Sequence, residues 1–141
     1  MKLVVDSNIL IASLLKDGIT RNLLMVAPIE FLSPEHMLEE IRKHRLTIAK
    51  RAGLSEPEFD LLFALIAERI SVVGSVGYEA KLIEAHRQIG DRDPGDVPFL
   101  ALALASDCGI WTYNEKHFEG AKARIWDTAS VAGWVRSASA T

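Results

Sequence analysis

Cysteine is nearly absent: Cys108 stands alone among 141 residues. One thiol excludes an internal disulfide and any cysteine-rich zinc site, and it predicts a reducing compartment, the cytoplasm. Long apolar runs are missing as well. The longest, Val97 to Ala105, contains Pro98 and falls well short of the roughly 20 residues that a bilayer span needs. No basic segment leading into an apolar stretch opens the chain, so a secretory signal is not expected. Positive charge is not in excess either: 16 Lys and Arg against 19 Asp and Glu leave a net charge of −3. That balance argues against a protein that coats nucleic acid without selectivity. It leaves room for an enzyme that gathers acids around metal ions beside a local basic patch. There is no Gly-rich P-loop and no nucleophile elbow. The histidines His36, His44, His86 and His117 show no H-x-H or H-E-x-x-H spacing, and each reads as a surface or helix-flank residue.

What is present is a core. Apolar residues make up 49% of the chain, which excludes disorder, and the length suits one domain. Strand and helix signals alternate throughout. Strands are expected at Leu3–Val5, Ile29–Leu32, Ile70–Val73, Ile110–Thr112 and Arg124–Trp126. Helices are expected over Ile9–Leu15 and Thr20–Val26. A long one is expected from a Ser33 cap, with Pro34 at its first position, to about Arg51, ending at Gly53. Ser55-Glu56-Pro57-Glu58 is a capping-box signature for a helix with Phe59, Leu62, Phe63, Ile66 and Ala67 on one face. Further helices are expected over Tyr78–Ile89, over the nearly all-apolar Val97–Ala105, and over Ala129–Arg136. The alternation predicts a three-layer α/β/α sandwich with a mainly parallel central sheet. One domain should cover residues 1–136, with 137–141 a frayed polar tail.

Against that frame, four places carry polar groups in conspicuous positions. Asp6 follows the first strand, where open α/β sheets bind ligands; as an alternative, Asp6, Ser7 or Asn8 caps the next helix. Glu40 lies on a partly apolar helix flank between Met37 and His44, or else is an ordinary surface acid. Asp96 heads the apolar helix, with Asp93 three residues earlier in a Pro-Gly turn. Asn114 and Glu115 follow the fourth strand. Clustered carboxylates repel unless a cation compensates, and hard oxygen donors without cysteine suit Mg²⁺ or Mn²⁺. Arg42, Lys43, His44, Arg45, Lys50 and Arg51 form a basic helix, either a solvated face or a phosphate-contacting strip. Trp111, Trp126 and Trp134 read as core or interface residues.

Four blocks then occur in a telling order and spacing. They are Val4-Val5-Asp6-Ser7-Asn8-Ile9-Leu10, Pro34…Glu40-Ile41, Asp93-x-x-Asp96-Val97-Pro98-Phe99-Leu100-Ala101-Leu102-Ala103, and Trp111-Thr112-Tyr113-Asn114-Glu115-Lys116-His117-Phe118. Together they resemble the PIN-domain family, which includes VapC-type toxin ribonucleases. The resemblance spans nearly the whole chain. It implies a divalent-metal-dependent endoribonuclease, the toxin component of a toxin–antitoxin pair, acting on RNA and opposed by a small antitoxin protein. It implies Asp6, Glu40 and Asp96 as the catalytic acids that hold Mg²⁺ or Mn²⁺. Asn114 stands where many relatives carry aspartate, with Glu115 as the neighbouring acid and Asp93, Asn8 and Thr112 in support. The asparagine motivates a second reading, a non-catalytic PIN-like module that binds RNA or a protein. A small metal-dependent phosphatase is a third. A haloacid-dehalogenase type fits poorly, because Asn8 occupies the place of its second aspartate. Surplus apolar helix in residues 9–26 and 55–67 predicts a homodimer.

Overall fold

The apolar run Leu3-Val4-Val5 is wholly buried, which places the first strand at the centre of a sheet covered on both faces. In the computed structural model, which describes residues 1–139, β1 (Lys2–Val5) pairs in parallel with β2 (Glu30–Pro34) on one side. On its other side lies β4 (Gly109–Trp111), also parallel. β3 (Ile70–Val73) extends the sheet beyond β2, and β5 (Ile125–Trp126) extends it beyond β4. The order is therefore β3-β2-β1-β4-β5. The chain starts in the middle, builds outward to β3, then crosses back to β4. The reversal falls between β1 and β4, and the crevice at their carboxyl ends is the favoured ligand position in such sheets.

Among the described residues, eight α-helices flank the sheet. They are α1 (Ser7–Leu15), α2 (Ile19–Val26), α3 (Glu35–Lys43), α4 (Arg45–Ala52), α5 (Glu56–Glu68), α6 (Leu82–Ala85), α7 (Val97–Ser106) and α8 (Thr128–Ser139). As its composition requires, α7 is the buried one. Val97, Phe99, Leu100, Ala101, Leu102 and Ala103 are all inside, packed on β1, β2 and β4. Phe31 and Trp111 meet in the core with ring centroids 5.8 Å apart. Gly109 lets β5 approach closely, since a Cβ there would lie 2.6 Å from Trp126 Nε1. The capping box is present in both halves: Ser55 Oγ accepts from the Glu58 N–H, and Glu58 accepts from the Ser55 N–H. The other expected stop also holds, with Gly53 in the left-handed region at φ 72°.

Three expectations need correction. Ser33 is not a helix cap. It continues β2, in register with Val72 of β3, and Pro34 takes the cap position without a side-chain bond. The long helix is two helices broken at His44, whose φ and ψ are −102° and 17°. Tyr78–Ile89 is not one helix but a series of tight and wide turns. Two 3₁₀ turns, Ser75–Gly77 and Glu79–Lys81, precede the four-residue α6, and a π turn, His86–Gly90, follows it. Its buried Tyr78, Ala85 and Ile89 fit a regular helix pattern equally well, so periodicity cannot separate the two. The last helix runs on to Ser139, and the final two positions of the expected tail lie outside the described residues.

Candidate active site

Asp6 leaves β1 and is 3% exposed. Both of its oxygens are engaged. Oδ1 accepts from the Ile9 N–H at 3.1 Å and so caps α1, while Oδ2 accepts from the Thr112 hydroxyl. Thr112, fully buried just beyond β4, accepts in turn from the Asn114 N–H at 2.9 Å. A short chain of bonds thus ties the loop after β4 to the carboxylate after β1, across the crevice where the strand order reverses. Burial pushes the Asp6 carboxyl above the usual carboxylate range, against the bonds from Thr112, Ile9 and Asn8 and the nearby His117, which pull it down. Among the described residues Asp6 makes no ion pair. A buried carboxylate without an ion pair suits a bound cation.

Asp96 takes the cap position of α7 but makes no capping bond. Its carboxylate turns instead to His117 Nδ1, 3.1 Å from Oδ2. The 3₁₀ turn Pro94–Asp96, with Asp93 at its start, brings Asp93 to the same side, because residues three apart eclipse in that geometry. Asp93 Oδ1 lies 4.0 Å from His117 Nδ1. Ligand atoms of Asp93, Asp96 and His117 all lie within 4.8 Å of one another. Burial raises the Asp96 carboxyl; the His117 charge lowers it, and Asp6 and Asp93 push it up again. Asp6, Asp93, Asp96 and His117 are therefore one electrostatic group.

His117 is the residue that spacing did not single out. It rides on a 3₁₀ turn, Glu115–Phe118, that starts at Asn114 and is pinned by Phe118, 2% exposed. The His117 N–H bonds to the Asn114 carbonyl at 3.0 Å. The usable signal was its place, next to a buried aromatic in the loop after the fourth strand.

Glu40 stands apart from this group. It is exposed on α3 and pairs with Lys43 at 3.2 Å. It lines a cavity of about 330 Å³ together with Ser7, His36, His44, Arg51, Gly95 and Phe99, so it shares the site's side of the sheet. Asn114 is half-buried, Glu115 and Asn8 are exposed, and the Asn8 backbone is among the donors to Asp6. Much of the basic helix is already engaged: Arg45 pairs with Glu56 and Asp60, and Arg42 lies over the Phe63 ring. Trp111 and Trp126 are buried and Trp134 packs on the core, as expected.

Asp93, Asp96 and His117 offer two carboxylates and an imidazole that could hold a metal ion, and Asp6, at the end of β1, acts on Asp96 through its charge. A search of curated proteins returned no match. A family model described as PIN domain matches residues 4–133. Matched over almost its entire length and folded around five parallel strands, the chain belongs to the PIN-domain family, whose members are in general nucleases that hydrolyse nucleic acid.

Proposed function

We propose that this chain is a divalent-metal-dependent endoribonuclease that hydrolyses RNA phosphodiesters with Mg²⁺ or Mn²⁺. The observation that carries the reading is the buried Asp6, without an ion pair among the described residues, in one electrostatic group with Asp93 and Asp96. A divalent cation held there would activate water and offset charge developing on the phosphodiester. Asp6 and Asp96 hold it, with Glu40 across the neighbouring cavity. Thr112 fixes the orientation of Asp6, and the Asn114 backbone N–H fixes Thr112. Asp93 adds charge beside Asp96. Asn114 and Glu115 face the fourth position of the site.

The family's toxin members support a role as the toxin of a toxin–antitoxin pair, in the cytoplasm, held by a small antitoxin protein. No helix among the described residues is long and apolar enough to cross a membrane. Exposed Ile19 and Val26 on α2, with Leu61 and Leu65 on the adjacent α5, support a homodimer.

The test is cleavage of labelled RNA against a Mn²⁺ titration, with chelator as the blank. Asp96→Asn should fall to that blank, because it removes a negative charge from the centre. Asn114→Ala should slow cleavage and leave metal binding intact. Asn114→Asp adds an anionic oxygen and should tighten Mn²⁺. If Glu115→Gln alone is inactive, the acid of the fourth position sits one residue later. Retention of RNA without cleavage would favour the binding-module reading, and phosphate release from monoesters the phosphatase. Full activity in Asp96→Asn would reject the mechanism.

A further inference from the structure

We propose that His117 is a direct nitrogen ligand of the bound cation, and that it makes this centre prefer a first-row transition ion such as Mn²⁺ over Mg²⁺. The inference rests on the reading of the site as a divalent-metal centre and goes one step further, to which ion it selects.

The spacing carries the argument. Two ligand atoms about 2.1 Å from one cation, at adjacent corners of its shell, lie about 3.0 Å apart; opposite corners lie about 4.2 Å apart. His117 Nδ1 is 3.1 Å from Asp96 Oδ2 and 4.0 Å from Asp93 Oδ1. These two separations are close to one edge and one diagonal of such a shell. Glu40, by contrast, is not within this group. The imidazole's polar contacts are with these two acids alone among the described residues. The turn that carries it is held by the buried Phe118 and by the bond from the His117 backbone N–H to the Asn114 carbonyl.

Ligand chemistry then sets the preference. Mg²⁺ takes oxygen almost exclusively and keeps several waters, so an imidazole offers it little. First-row transition ions accept imidazole alongside carboxylate, with affinity rising from Mn²⁺ onward along the series. A site of carboxylates alone would discriminate weakly. One imidazole placed among them tips the balance.

The experiment uses the full chain, stripped of metal and titrated with Mn²⁺ or Mg²⁺ by calorimetry. Electron spin echo spectra of the Mn²⁺-loaded protein are then recorded for ¹⁴N coupling. The wild type should bind Mn²⁺ more tightly than Mg²⁺ and show imidazole nitrogen coupling. His117→Ala should lose that coupling and at least about tenfold in Mn²⁺ affinity, the lower end of what even outer-sphere partners cost. Its Mg²⁺ affinity should not move. His117 is half exposed, so the variant should fold, which circular dichroism checks. Asp96→Asn should weaken both ions. Because His36 and His44 line the adjacent cavity, coupling that persists in His117→Ala would assign the nitrogen elsewhere and overturn the proposal. So would bound Mn²⁺ with no nitrogen coupling in the wild type, although the metal-centre reading would then survive. If neither ion binds the wild type, that reading falls as well.

Discussion

Asp6 does two jobs with two oxygens, and its burial sets a cost that shows up in stability. Its carboxyl is raised above the ordinary range chiefly by desolvation, so the folded protein holds a proton that the unfolded chain releases. In metal-free protein its contribution is therefore complete below the unfolded carboxylate value, about 4. It is lost as pH rises through the higher folded value. Glu58 and Asp127, held low by bonds from Ser55 and Ser130, act with the opposite sign and at lower pH, and so do not mask the effect. Asp6→Asn keeps an acceptor for the Ile9 N–H. In chelator it should melt above wild type at pH 7, with the gap closing toward pH 4; a wild type that melts higher throughout would contradict this. Adding Mn²⁺ should raise the wild-type midpoint and not the variant's. Asp6 was legible because a strand end and a cap both predict an acid there. Asp96 was legible as the residue heading α7 but not in the direction of its side chain, since it forgoes its cap for His117. His117 itself was not legible, because the aim of a side chain on a 3₁₀ turn depends on what pins the turn.

Among the elements, those set by local chemistry were readable and those set by packing were not. The capping box of α5 is wholly local, and Ser55→Ala should cost about 1 kcal/mol, read as a lower urea midpoint with unchanged slope. The break at His44 has no proline or glycine to announce it. Ile41 and Ile48 are both buried and seven residues apart, two helical turns, so the apolar face continues straight through the break. What differs is the partner: α3 lies on β2, whereas α4 packs against α1 and α5. Two surfaces at different angles require two helices. Helix α7 is the opposite case, legible from composition alone. Leu100, fully buried at its centre, is the residue to truncate: Leu100→Ala should cost about 3 kcal/mol. A loss under about 1 kcal/mol by chemical denaturation would mean that the core relaxes around the gap.

For the whole molecule, the parallel sheet followed from the alternation of strands and helices, while its order β3-β2-β1-β4-β5 did not, because alternation leaves the order of strands open. Ile19, Val26, Leu61 and Leu65 stand 58%, 65%, 64% and 42% exposed on two helices in contact. Light scattering at tens of micromolar, a rough range for weak association, should give twice the chain mass, and Leu61→Asp should give the monomer. A wild-type monomer at that concentration would remove the dimer. The bond between Thr112 and Asp6 joins positions 106 apart in the chain. During synthesis at roughly 5–20 residues per second, that interval lasts on the order of 5–20 s. For most of it Asp6 is already made while Asp96 and Thr112 are still to come, and His117 follows Thr112. A growing chain therefore carries Asp6 without its Thr112 partner, and the bond between them forms late, when β4 docks beside β1.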